Sequence, residues 1–439
     1  MMRIKTTFTV SLIALFSFAG VTQAAPPKPL PNPDGPAVTP RMNGDASVSA
    51  SRICPSLRRL ARSGNSNAGL MVKNLASGDS VCGLNAGGSR SLASNTKIFT
   101  TAASLARLGP DHKFRTRLYA DSKVNRNGVL QGSLYLKGGG DPALGQEDFL
   151  AAYTAGAGSA IEKLAIKAKR AGVKRVTGRL YGDDGVFDRL RGVADSGFAT
   201  SPYIGPLSGL SINAGYTSAS FSRFSSDPAK LATKTLVREL RKRGISIRPE
   251  IAMKKTPRPA QTNLVARQVS PDMTWMARTT NLNSNNFFAE MLLKNLGAQV
   301  RESGTTRQGA IVVKRYAASL GVDVSPIDGS GLTFNNRSTP ADVVKLLAKV
   351  RTRSYGDEFI DSLPVAGRDG TIGDRMRGSA AEGRCHAKTG TLTGVSALSG
   401  YCFNSNGRKF AFSILMNGVY DLNAAQRGQD RIAALIARL

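Results

Sequence analysis

Ser91–Thr101 reads SLASNTKIFTT, and the fold turns on whether its serine and lysine form a working pair or a coincidence. Ser94 and Lys97 stand three apart, so on a helix they share one face, a turn apart. Ile98, Ala102, Leu105 and Leu108 recur behind them at helical spacing, and Gly109-Pro110 stops the run. A hydroxyl and an amine side by side are either an ordinary solvated pair or a nucleophile beside its base. The flanking sequence decides which.

Upstream, Gly69–Gly83 (GLMVKNLASGDSVCG) reads as a β-hairpin around a Ser-Gly-Asp turn. Downstream of Lys113 the texture changes. Phe114–Tyr119 and Gly132–Leu136 alternate as strands around Asn127-Gly128, residues 146–172 are largely helical, Val176–Tyr181 is a further strand, and Lys230–Gly244 is an amphipathic helix. After Pro271 a helix is expected at Phe287–Leu296. Strands follow at His386–Leu392, Val395–Phe403 and Lys409–Met416, and then a terminal helix at Ala424–Leu439. The N-terminal hairpin and the C-terminal strands are expected to complete one sheet, with residues 113–272 inserted. Gly138-Gly139-Gly140 lacks the spacing of a phosphate loop and reads as a structural turn.

The N-terminus has the pattern of an export signal: Arg3 and Lys5, the apolar run Phe8–Val21, then Thr22-Gln23-Ala24 with a cut after Ala24. Residues 25–45 are a proline-rich linker. No later run is long and apolar enough for a membrane helix, so a soluble, exported (periplasmic or extracellular) protein is expected. Four cysteines in an exported chain suggest two disulfides. Pairing sequence neighbours gives Cys54–Cys82 and Cys385–Cys402. For the second pair, a hairpin turn at Thr393-Gly394 sets 385 opposite 402. No CxxC occurs, which disfavours zinc. Lys and Arg number 60 against 30 Asp and Glu. The excess is dispersed, without aromatic interleaving or a nucleic-acid module, so an anionic envelope polymer or membrane surface suits it better than nucleic acid.

Only His112 and His386 are available for histidine chemistry. His112 follows a Gly-Pro-Asp breaker, His386 lies two residues before Lys388 on a strand, and neither has a G-x-S-x-G context. Three elements suit a serine enzyme without histidine. Ser94-Asn95-Thr96-Lys97 is the one S-x-x-K, and Lys388-Thr389-Gly390 is the one K-T-G. Ser284-Asn285-Asn286 is an S-x-N between them. Ser63-Gly64-Asn65 and Ser211-Ile212-Asn213 also fit S-x-N, but order excludes the first, and only Ser284 runs directly into a strong helix. A serine hydroxyl needs a base, and Lys97 serves only when neutral for part of the time. Burial, and a second cation if the fold brings Lys388 close, would both lower its pKa.

These motifs resemble the penicillin-recognising serine enzymes. Ala93–Lys97, Gly138-Gly139-Gly140-Asp141-Pro142, Asp328-Gly329-Ser330-Gly331-Leu332, Ala366–Thr371 and Ala387–Leu392 occur in that order. With them the chain is similar to the class C low-molecular-mass penicillin-binding proteins, the serine D-alanyl-D-alanine carboxypeptidase/endopeptidase family. The resemblance implies an α/β (α+β) transpeptidase-like domain, an antiparallel sheet flanked by helices, from residues 46–112 and 273–439. A smaller domain, 113–272, is inserted after the S-x-x-K helix. The 190 residues from Ser94 to Ser284 leave room that a compact β-lactamase lacks.

The same resemblance implies the roles. Ser94 is the nucleophile, Lys97 its base, and Ser284 relays a proton to the leaving amine. Asn286 binds the substrate amide, Lys388 and Thr389 meet its terminal carboxylate, and Gly390 belongs to the same strand. The N–H groups of Ser94 and Thr391 form the oxyanion hole, and no cofactor is involved. The resemblance implies D,D-carboxypeptidase action on peptidoglycan stem peptides, with D,D-endopeptidase action on cross-links as a further activity, and β-lactams as acylating inhibitors. Asp183-Asp184 is the best match for an acid that holds the substrate's diamino acid, beside the plainer reading of a solvated loop. A contact at the strand's flank is the reading for His386. Two alternatives stay open: a β-lactamase or esterase on the same site, and a slow peptidoglycan- or β-lactam-binding protein.

Overall fold

A computed structural model describes residues 50–439. The export signal and the linker up to residue 45 lie outside the described residues. The helices are α1 (Ala50–Ala61), α2 (Thr96–Leu108), α3 (Glu147–Thr154), α4 (Glu162–Arg170), α5 (Pro228–Lys242), α6 (Met273–Leu282), α7 (Asn286–Arg301), α8 (Thr306–Ser319), α9 (Pro340–Val350), α10 (Gly356–Asp361) and α11 (Leu422–Ile436).

The N- and C-terminal parts of the chain share one antiparallel five-stranded sheet. Its order is Cys385–Leu392, Val395–Phe403, Lys409–Val419, Asn65–Asn74, Ser80–Leu84. Side chains alternate across a sheet, and both faces here are covered. Ala397, Tyr401, Ala411 and Leu415 join the core that includes Phe99 of α2, Phe288 of α7 and Leu347 of α9. Leu398, Cys402, Phe412 and Ile414 join the opposite core with Leu57 of α1 and Ile432 of α11. Burial on two faces removes charged positions from a strand, as in VSALSGYC, where every residue is buried and only the small polar Ser396 and Ser399 interrupt the apolar run. The turn at Thr393-Gly394 has Gly394 at φ +70°, and Cys385 pairs with Cys402 in register. Cys385–Cys402 and Cys54–Cys82 are the two disulfides.

Residues between α2 and α6 build a second sheet of mixed direction. Its order is Ile251–Met253, Leu180–Asp183, Leu134–Lys137, Lys113–Ala120, Asn263–Asp272. Helices α4 and α5 cover it through Leu164, Ala168, Ala232, Leu236 and Leu240. The chain leaves for this sheet at Lys113 and returns at Asp272, and those two residues are register partners. The insertion thus begins and ends at one place, leaving α2 and α6 free to pack together.

Three local readings differ from the structure. Ser94 is not in α2 but in a 3₁₀ turn, Ala93–Asn95, that feeds it. Residues 146–172 break into α3 and α4 around the short strand Ser159–Ala160, with left-handed Ala155 ending α3. The strand placed at Val176–Tyr181 resolves into Arg175–Val176 and Leu180–Asp183. Helix α1 carries Pro55 inside it, the signal that masked it in the sequence.

Candidate active site

The turn that carries Ser94 is shaped by its neighbours. Ala93 takes φ +45°, a left-handed conformation that a non-glycine residue adopts at a cost. Thr96 Oγ1 donates to the Ala93 carbonyl at 2.9 Å and holds the turn. The Asp328–Leu332 loop presses against it at Gly331, whose φ is +88° and where a Cβ would stand 1.8 Å from Ala93 O. Asn95 Nδ2 donates 3.0 Å to the carbonyl of Lys388, fastening the turn to the K-T-G strand.

Lys97 is fully buried, and its Nζ has three partners: Ser94 Oγ at 3.0 Å, Asn286 Oδ1 at 2.7 Å and the Ser330 carbonyl at 2.6 Å. Two of the three can only accept, while a hydroxyl can also donate. A neutral amine therefore keeps its two hydrogens on Asn286 and Ser330 and turns its lone pair to the Ser94 hydroxyl. Burial pulls the Lys97 pKa down to about 7, against the opposing pull of Glu290 and Asp328. Lys388 is also fully buried and donates to the Thr389 carbonyl at 3.0 Å. Burial first, and then the Lys97 charge, push it well below the ordinary lysine range.

The second motif lies in the α6–α7 turn. Ser284 has φ +52° and is half-buried, and its hydroxyl makes no hydrogen bond among the described residues. Asn285 caps α7 by accepting from Phe288 N at 3.0 Å, and its Nδ2 donates to the Tyr153 hydroxyl at 2.7 Å. Asn286 joins two parts of the molecule, since its Oδ1 accepts from Lys97 and its Nδ2 donates to the Tyr203 carbonyl at 3.0 Å. Tyr153 and Tyr203 both come from the insertion, which thereby walls the site at its S-x-N corner.

On the K-T-G strand, Thr389 Oγ1 bonds Thr371 Oγ1 at 2.8 Å, which draws in the Ala366–Thr371 segment. Thr391 is exposed. His386 packs edge-on against Phe403 at 5.5 Å and makes no bond to the site. Asp183 and Asp184 are already engaged. Asp183 accepts from Gly185 N and Thr256 N, and Asp184 from Arg191 and Ser208. They serve the insertion's own loops.

Sequence reading missed the carboxylates behind Lys97. Glu290 is wholly buried, and its Oε1 accepts from Gly329 N at 3.0 Å and Ser330 N at 2.7 Å, holding the backbone that leads into the Ser330 carbonyl met by Lys97. Asp328 is buried beside it and organises the loop through Gly331 N, Thr333 N and Asn336 Nδ2. Burial, and then Asp328, push Glu290 up to about 7. The signal was present: an acid inside the apolar run FFAEMLL, four residues after Asn286 and so on its helix face.

A model of the D-Ala-D-Ala carboxypeptidase 3 (S13) family matches residues 56–223 and 216–439. The chain belongs to this family. It is 31% identical over 449 residues to the D-alanyl-D-alanine carboxypeptidase of Actinomadura sp. (strain R39), covering 84% of this chain and 81% of that protein. It is 29% identical to the carboxypeptidase DacB of Mycolicibacterium smegmatis, covering 98% and 93%. Among solved structures, penicillin binding protein 4 (dacB) from Haemophilus influenzae superimposes with a TM-score of 0.71 at 21% identity, covering 88% of this chain and 98% of that one. The S13 fold thus runs through nearly all of the described chain, insertion included.

Proposed function

We propose that this S13 member is a serine D,D-carboxypeptidase that hydrolyses the terminal D-Ala-D-Ala bond of peptidoglycan stem peptides through an acyl-Ser94 intermediate. The observation that carries the proposal is Lys97 Nζ, buried and 3.0 Å from Ser94 Oγ, with its other two hydrogen-bond directions filled by acceptors.

Neutral Lys97 takes the Ser94 proton as Oγ attacks the carbonyl of the penultimate D-alanine. The N–H groups of Ser94 and Thr391 receive the oxyanion, an interaction commonly worth about 10²–10³ in rate per donor. The C–N bond breaks as Ser284 gives its proton to the departing D-alanine amine and takes the one held by protonated Lys97, which leaves Lys97 neutral and the acyl group on Ser94. Water then attacks the ester with Lys97 again as base, releasing the shortened peptide and restoring Ser94. Lys388 and Thr389 meet the free carboxylate of the departing residue. Asn286 holds Lys97 with its oxygen and offers its amide to the substrate backbone once Tyr203 yields it. A β-lactam enters the same path but leaves a slowly hydrolysed ester.

The two disulfides support an exported enzyme. The test is D-alanine release from a soluble pentapeptide ending in D-Ala-D-Ala. Release that disappears when the last residue is L-alanine supports the proposal. A stable penicillin adduct without any D-alanine release points instead to a binding protein, and rapid turnover of penicillin to a β-lactamase.

A further inference from the structure

The basic residues look dispersed along the sequence, but away from the site the fold gathers a share of them on one face of the insertion. Residues 228–258 hold ten Lys or Arg against two acids, Glu239 and Glu250, a net +8 in a chain of +30. On α5, Lys230, Lys234, Arg238, Arg241 and Lys242 recur every three or four residues and are all exposed, so they form one stripe about 17 Å long. Lys234, Arg238, Arg241 and Lys242, with Val237 and Pro249, line an open groove of about 340 Å³. Beneath it, buried Glu239 engages Lys242 at 2.9 Å and Arg243 at 2.6 Å. Lys234 and Arg241 have no acidic partner among the described residues. Helix α4 runs alongside and exposes Lys163, Lys167, Lys169 and Arg170. Lys169 Nζ donates to the Arg243 carbonyl at 2.6 Å and locks the two basic helices together.

Charges of one sign set this close repel one another and bring no gain to the fold. Neither helix exposes a large apolar side chain, so a bilayer would find charge here without an anchor. A hydrated, linear polyanion fits the surface better. Arginine forks pair with carboxylates in particular, and a row of them matches groups repeated along a strand. We propose that the α4–α5 face is a non-catalytic docking surface for the carboxylate-bearing peptidoglycan polymer, holding the enzyme on the solid of which its substrate is a part. This rests on the function proposed above, and it adds a second contact through which the polymer is held apart from the stem peptide at Ser94.

The test compares two full-chain variants of equal charge change. Lys234→Glu/Arg238→Glu/Arg241→Glu alters the stripe, and Arg307→Glu/Lys314→Glu/Arg315→Glu alters exposed positions on α8. Each is pelleted with purified insoluble peptidoglycan at low and at physiological salt, pelleted with anionic phospholipid vesicles, and assayed on the soluble pentapeptide. The stripe variant is expected to lose about tenfold or more in peptidoglycan affinity at low salt, with the loss narrowing as salt rises. The α8 variant should stay within about twofold, and both should keep wild-type kcat/KM on the soluble peptide. Equal losses in both variants, no loss in the stripe variant, or a loss confined to vesicles would each overturn the docking surface. Absence of D-alanine release by the wild type would instead strike the catalytic proposal, and the pelleting comparison would still decide the docking surface.

Discussion

Gly390 passes so close to the Ser94 turn that a Cβ on it would lie 3.1 Å from Ser94 N and 2.8 Å from the Leu92 carbonyl. The middle of the K-T-G strand is therefore shaped around the amide expected to receive the oxyanion. Gly390→Ala must push the strand or the turn aside, by a few tenths of an ångström at least. The expected result is a fall in kcat of about 10²-fold with the melting temperature little changed. Equal activity of Gly390→Ala and wild type on the pentapeptide would count against this placement of the oxyanion hole.

The pH dependence follows from Lys97. As a base it works only when neutral, so kcat/KM should rise as pH climbs through about 7. Glu290 holds the Lys97 pKa up, so removing its charge lets that pKa fall. In Glu290→Gln the remaining oxygen can still accept from Gly329 N and Ser330 N. The acid limb is then expected to move to lower pH, by less than a fully ionised neighbour would cause, because Glu290 is itself raised to about 7. A limb that stays in place while activity drops would mean that Glu290 only supports the loop.

At Asn285, the side chain has both a capping and a linking bond. Asn285→Asp keeps an oxygen for Phe288 N and for the Tyr153 hydroxyl, and should retain activity within about threefold. Asn285→Ala loses both and should cost about 1–2 kcal/mol of stability, read from denaturant midpoints. Loss of activity in the aspartate variant matching that in the alanine variant would show that the amide donor is required.

The Cys385–Cys402 bridge closes a separation of 17 residues, for which chain entropy gives about 3 kcal/mol. Replacing both cysteines by serine should lower the melting temperature by several degrees. Activity at 25 °C should remain, because neither sulfur touches the site. Unchanged melting would mean that the sheet alone holds the register.

How much was legible depended on where the information lies. The C-terminal hairpin was readable because its turn is two residues long and its strands are unbroken, so the 385–402 register followed from counting. The S-x-x-K, S-x-N and K-T-G elements were readable as motifs because each is local. The left-handed turn at Ala93 was not, since the residue it packs against, Gly331, lies more than 200 residues away. Nor was the Tyr203–Asn286 bond, because nothing in Ser201–Gly205 marks a backbone carbonyl as a partner for the site. Glu290 lay between, a charged residue in an apolar helix whose meaning required knowing what that helix faces. Asp183-Asp184 shows the reverse case, acids that look available in sequence and are spent on local loops.

The central claim, that Ser94 activated by Lys97 is the nucleophile, is tested most directly by intact mass and peptide mapping after brief exposure to benzylpenicillin. The account predicts one penicilloyl group per wild-type chain, on the peptide that contains Ser94, and none on Ser94→Ala. A wild-type chain that takes up no adduct, or a Ser94→Ala chain that still does, would contradict it.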